Sequence, residues 1–160
     1  MSEAGGHAGM PWLGPASLLQ AQRIVASHRR FTGRALLPSA EPHALAQALF
    51  AAPFVVVSHG TEDDPVLNYG NAAALALWEA TWEELTRTPS RLTAEAPERS
   101  ERERLLAAVA RDGFIDDYAG VRISRSGRRF RIRQATVWNL LDERGERCGQ
   151  AATFAAWEFL

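Results

Sequence analysis

The chain is 160 residues long, 46% hydrophobic and 23% charged, which suits one globular domain that buries its core without metals or disulfides. A formal net charge of −1 excludes strong non-specific attraction of the whole molecule to nucleic acid. All 18 basic residues are arginine, so a Schiff-base lysine, a phosphate-loop lysine and a lysine general base are excluded as well.

Residues 1–16, rich in Gly, Ala and Pro and without periodicity, read as a flexible tail. They carry neither the basic nor the apolar region of a secretion signal, and no stretch of the chain approaches the roughly 18 apolar residues that span a bilayer. With Cys148 as the only cysteine no intrachain disulfide can form, and the expectation is a cytoplasmic protein without membrane contact. Ser17 offers an N-cap for a helix to about Phe31, with Leu18, Ala21, Val25 and His28 on one stripe and Thr32-Gly33 as its stop. Ser39, with Pro42 in the first turn, opens a second helix that carries Leu45, Ala48 and Leu49 as far as Pro53. Residues 17–52 thus form an N-terminal helical extension ahead of a core over 53–160.

Phe54–Ser58 is too short for a helix and reads as a buried central strand; a polar turn then leads to a short second strand ending at Asn68-Tyr69-Gly70-Asn71. Thr81 with Glu84 and Ser100 with Glu103 are capping boxes, which start helices carrying Trp82 and Leu85, and Leu105, Leu106 and Val109. Pro89 to Pro97 is an irregular bridge between them, and Asp112-Gly113 ends the later helix. The period then changes. Phe114–Ser124, Arg128–Leu140 and Cys148–Phe159 are strand-like, separated by hairpin turns at Ser126-Gly127 and Asp142-Glu143-Arg144-Gly145. Five strands in a pair and a trio, with a helical insert between, predict an α+β domain.

Ser58-His59-Gly60-Thr61-Glu62, Asp64-Pro65, Asn68-Tyr69-Gly70-Asn71, Trp82-Glu83-Glu84-Leu85-Thr86, Pro89-Ser90-Arg91, Tyr118 to Ile123, Gly127 to Phe130, Val137-Trp138-Asn139 and Gly149 to Phe154 follow one another in an order that resembles the MEKHLA domain over about residues 17–155. That family is similar to PAS domains and occurs both as small stand-alone bacterial proteins and at the C-terminus of plant homeodomain–leucine-zipper factors. The resemblance implies a PAS-like fold: a five-stranded antiparallel sheet with short helices on one face, here preceded by the helical extension. It also implies a sensory or regulatory role without an established chemistry. PAS flavin photosensors with a covalent adduct use a cysteine on the helix after the second strand, and Asn71–Leu85 has none; haem-binding relatives commonly use a histidine on the long helix, and Ser100–Asp112 has none. Neither cofactor is supported, while a non-covalent flavin or another small ligand stays open.

Arg128–Leu140 alternates so that Arg129, Arg131 and Arg133 share one face and Phe130, Ile132, Gln134, Thr136 and Trp138 the other. The apolar face must look inward, which predicts that Gln134 and Thr136 are buried polar groups in need of partners. Gln150 and Thr153 are equally polar in an apolar run. Gln134, Thr136, Trp138 and Gln150 are therefore candidate ligand-binding residues lining a pocket, joined by Tyr69 and Trp78, whose default is core packing, and Asn71, whose default is to cap the helix from Ala72. The six arginines between positions 122 and 133 could grip phosphate or an acidic partner, or be a solvated face paired with Asp116, Asp117 and Glu143. His59 beside Glu62, Asp63 and Asp64 suits hydrogen bonding within a turn better than a metal or acid–base unit.

Three functions follow, of which the first is favoured. The chain is a regulatory domain that binds an unidentified small molecule or a protein partner and signals through protein contacts, with no nucleic acid involved. Otherwise it is a structural homodimerisation module, or a small enzyme using His59 with Tyr69 or Tyr118.

Overall fold

The computed structural model describes residues 9–94 and 99–160. A 3-10 turn at Pro11–Leu13 leads through Gly14 into α1 (Pro15–Thr32), where Pro15 at the first helical position needs no amide partner. The helix therefore begins ahead of the expected Ser17 cap, and it stops at Gly33, which adopts φ +74 and returns its N–H to the Arg29 carbonyl at 2.9 Å. Helix α2 (Pro42–Ala51) is capped by Glu41 rather than Ser39, because the Glu41 carboxylate accepts from the His43 and Ala44 amides at 2.9 Å each. Of the tail expected over 1–16, residues 1–8 lie outside the described residues, while Leu13 is buried and Trp12 stacks on Phe50 with ring centroids 3.7 Å apart.

Strand β1 (Val55–His59) pairs antiparallel with β2 (Leu67–Gly70), and Asn71 then starts α3 (Ala72–Trp78). Thr81 and Glu84 form the expected capping box of α4 (Trp82–Leu85). A second 3-10 turn, Ser90–Thr93, precedes α5 (Arg99–Asp112), whose first turn already contains Ser100, so the cap expected there is displaced. Residues 95–98 of the expected bridge lie outside the described residues. β3 (Phe114–Ile123), β4 (Arg129–Leu141), β5 (Arg147–Phe154) and β6 (Ala156–Phe159) follow, joined by turns in which Gly127 and Gly145 take φ +90 and +81.

All neighbours are antiparallel, in the order β2-β1-β5-β4-β3. The last run is two strands rather than one: after a break at Ala155, β6 pairs with Phe130–Arg133 of β4, whereas β5 pairs with Thr136–Leu141. At the same level Gln134 adopts φ +50 and interrupts β4. One residue turned left-handed is a bulge, and it resets the two-residue period. Before it Phe130 and Ile132 face the core shared with α3 and α5; after it Ala135 and Val137 do, and Trp138 and Leu140 turn to the opposite face.

The sheet is consequently covered twice. The inner face packs Val55, Leu67, Phe130, Ile132, Val137 and Phe154 against Leu77 and Trp78 of α3 and Leu105 and Val109 of α5. The outer face packs Val56, Tyr69, Trp138, Leu140 and Ala151 against Ala21 and Ile24 of α1 and Leu49 of α2. Polar ties fasten α1 there: Trp138 Nε1 donates to the Ile24 carbonyl at 3.2 Å, the Leu141 amide to Ser27 Oγ at 2.9 Å, and Arg23 grips Glu143 with two bonds.

Candidate functional site

Helix α3 sets the inner site. Its cap Asn71 is fully buried and wholly satisfied: Oδ1 accepts from the Ala74 and Val56 amides at 3.2 and 3.0 Å, while Nδ2 donates to the carbonyls of Leu49 and Phe54 at 3.2 and 2.7 Å. One side chain thereby holds together the start of α3, the entry of β1 and the end of α2. About two turns later Trp78 lies edge-on to Phe130 and Phe154, at 5.4 and 6.2 Å between centroids. Tyr118, Leu105 and Val109 complete the same packed cluster. The Trp78 indole N–H is buried and has no partner among the described residues, leaving one orphan donor in an apolar interior.

The seven residues expected to line a pocket do not converge. Trp78 and Gln150 lie on the inner side; half-buried Gln150 sits across from His59 of β1 and Asn139 of β4. Tyr69, Thr136 and Trp138 are on the outer face. Tyr69 meets Trp82 edge-to-face at 5.5 Å, its buried hydroxyl also lacks a partner among the described residues, and burial pushes its pKa well above the usual phenol range. Trp138, fully buried, packs its ring against His28 at 4.8 Å. Half-buried Thr136 pairs with Thr153, whose hydroxyl donates to the Val55 carbonyl at 2.8 Å. Gln134 is exposed, contrary to the expected burial: strict alternation from Phe130 to Trp138 fails because the bulge turns this one side chain out and moves Thr136 and Trp138 to the other face. Nothing in the composition of Arg133-Gln134-Ala135 signals a left-handed residue, since Gly and Asn are its usual markers.

Two surface hollows stand out, and none of the seven lines either. One of about 380 Å³ runs between α5 and β3, floored by Ala107, Ala108 and Ile115 and rimmed by Arg104, Arg111, Asp116 and Asp117. The other, of about 270 Å³, lies between α1 and the segment leading into α2. The His59 ring nitrogen Nδ1 lies 2.8 Å from the Gly60 carbonyl, within the turn as expected, and Asp64 is held by Arg91.

The pairing expected for the arginine-rich hairpin is not the one observed. Asp116, Asp117 and Glu143 are taken by Arg34, Arg104 and Arg23. The hairpin arginines turn elsewhere: Arg125 meets Glu84 at 2.9 Å, Arg131 and Arg133 converge on Glu158, and Arg128 lies 3.4 Å from the centroid of the exposed Phe159 ring.

Solved structures share this architecture. An RNA-binding light-oxygen-voltage receptor superposes with a TM-score of 0.61 at 21% identity, over 74% of this chain and 34% of its own. A PAS domain from Colwellia psychrerythraea gives 0.57 at 14% identity over 72% and 92%, and a light-oxygen-voltage domain probed with a flavin analogue gives 0.57 at 18% over 73% and 84%. The chain spans about a third of the RNA-binding receptor's length. The fold is that of the PAS and light-oxygen-voltage domains, a sheet with short helices and an N-terminal helix. Residues 18–159 match the MEKHLA domain, and the chain belongs to that family. No curated protein matches it in sequence. Among the described residues no helix is long and apolar enough to cross a membrane.

Proposed function

We propose that this chain is a non-enzymatic, PAS-like regulatory module that acts through protein contacts, with an interior that serves as packed core. The carrying observation is the meeting of Trp78, Tyr118, Phe130 and Phe154 in one cluster beneath α3 and α5, together with the scatter of the seven expected lining residues over both faces. The family match and the sensory nature of the light-oxygen-voltage receptors support a regulatory role. His59 and Tyr69 alternate onto opposite faces of the β1–β2 pair, which speaks against their joint use as an acid–base couple. A lone half-buried cysteine, whose thiol burial pushes up and away from reactivity, suits a reducing cytoplasm.

Native mass spectrometry of freshly purified protein should return the mass of the bare polypeptide, and gentle size-exclusion of extract from the native host should place the chain in a larger assembly. A bare monomer in both settings would remove the regulatory reading. A second reading, interior binding of a small hydrogen-bond acceptor, is favoured by the orphan Trp78 N–H alone. A stoichiometric co-purified compound would decide for it.

A further inference from the structure

The smaller of the two hollows, of about 270 Å³, lies outside the packed interior, where α1 meets the segment that leads into α2. Its apolar lining includes half-buried Val25 and Leu37 and buried Leu45, and its polar lining is Gln22, Arg29 and Ser39. Among the described residues no carboxylate lines it. The Arg29 guanidinium has neither ion pair nor hydrogen bond among the described residues, and the side chains of Gln22 and Ser39 have none either. In the larger hollow, by contrast, Arg104 and Arg111 are already taken by Asp117 and Asp112. Arg29 sits in the last turn of α1, where the helix dipole favours a cation but uses none of its N–H donors. The backbone amides of Ala35, Leu37, Ser39 and Ala40 likewise donate to nothing among the described residues. A free cation and several unused donors thus surround an apolar recess that supplies no opposite charge.

We propose that this recess is a binding site for a small apolar monocarboxylate, its tail against Val25, Leu37 and Leu45 and its carboxylate on Arg29. The inference goes beyond the protein-contact reading and stands apart from it, since none of these residues belongs to the core beneath α3 and α5. An apolar recess with a few convergent polar groups is the usual form of a small-ligand site, and this one is at the small end of the range of about 300–1,000 Å³. A guanidinium holds a carboxylate by two parallel hydrogen bonds, which sets the charged end of the ligand. The lining sets the other end: a dicarboxylate would bury its second charge unpaired beside Val25, Leu37 and Leu45, and an inorganic anion would leave those side chains in water. The occupant would bridge α1, the connecting segment and α2, and so tighten the extension that covers the outer face of the sheet.

The test uses the whole chain and hexanoate, followed by amide NMR, with hexan-1-ol and hexylamine carrying the same tail without the negative charge. Shifts should concentrate at residues 22–29 and 35–45, and the alcohol and the amine should bind about tenfold or more weakly than the acid. Arg29→Gln should weaken hexanoate about tenfold and Arg29→Lys less. Ala26→Leu, which fills the recess from the α1 side, should abolish the shifts, whereas Arg30→Gln, outside the lining, should leave them unchanged. The spectrum of each variant without ligand reports whether its fold is kept, and the ligand series on the parent needs no variant at all. An absence of shifts at about 10 mM, where a site of millimolar affinity is filled, overturns the proposal. Shifts indifferent to both Ala26→Leu and Arg29→Gln overturn the site, and hexan-1-ol or hexylamine binding as tightly as hexanoate overturns the ligand class.

Discussion

Two buried indoles allow the packing of the interior to be weighed by a pair of parallel substitutions. Trp138 and Trp78 are 0 and 5% exposed, but Trp138 donates its N–H to the Ile24 carbonyl while Trp78 donates to nothing described. Exchange for Phe empties a few tens of Å³ at either site, worth about 1 kcal/mol at roughly 24 cal/mol per Å³. At Trp138 the lost hydrogen bond adds about 0.5–1.5 kcal/mol, for a total near 2 kcal/mol. At Trp78 removal of an unsatisfied donor returns about 1–3 kcal/mol of desolvation, so Trp78→Phe should lie within roughly 1 kcal/mol of the parent or be more stable. Equilibrium urea unfolding followed by far-UV circular dichroism reads both, and an unchanged slope certifies that the two states remain comparable. A loss at Trp78 as large as that at Trp138 would refute the reasoning. It would mean that the Trp78 N–H has a partner, and the interior would then have to be treated as occupied.

Other expectations follow from the backbone and from burial. Gln134→Gly should be neutral or stabilising by up to about 1 kcal/mol, because the left-handed conformation costs an L-residue roughly 1–2 kcal/mol, whereas Gln134→Val should lose about 1–2 kcal/mol; equal melting temperatures for the two variants would contradict a fixed bulge. A β-carbon on Gly149 would lie 2.2 Å from the His59 carbonyl oxygen, so Gly149→Ala must push β1 and β5 apart and should cost about 2–3 kcal/mol; an unchanged thermal midpoint would show that the strands are not so close. Burial lowers the His28 pKa, with the Arg34 carbonyl working the other way. The unfolded chain then binds the proton more readily, so stability should be full above the unfolded value of about 6.5 and decline as pH falls below it. Urea midpoints measured from pH 7.5 to 5.5 should fall in the parent and fall less in His28→Gln; identical slopes would discount the imidazole.

Much of this fold is legible in the sequence because its local signals are conventional. The Thr81 and Glu84 pair, the glycines at 113, 127 and 145, and the β-branched run after Pro53 each satisfy a backbone requirement that only a few residue types meet. Helix starts were less so: Gly14 with Pro15, and the carboxylate of Glu41, did the work expected of Ser17 and Ser39. The site was the least legible part. Its reading assumed unbroken alternation through β4, and a left-handed glutamine carries no compositional mark. Nor does a strand's period reveal that both faces of a sheet are covered, so Tyr69 and Trp138 looked like neighbours of Trp78 although they belong to the layer beneath α1.

The turned glutamine also makes the length of β4 matter more than its lettering. Many side chains would be tolerated at an exposed position, but removing that one residue would restore simple alternation and rotate everything beyond it by half a turn. Thr136 and Trp138 would swing beneath α3 while Val137 went to the helices of the extension, exchanging two hydrophobic layers at once. Drift in this family member should accordingly spare the count of residues between Phe130 and Trp138, even where it rewrites their identity.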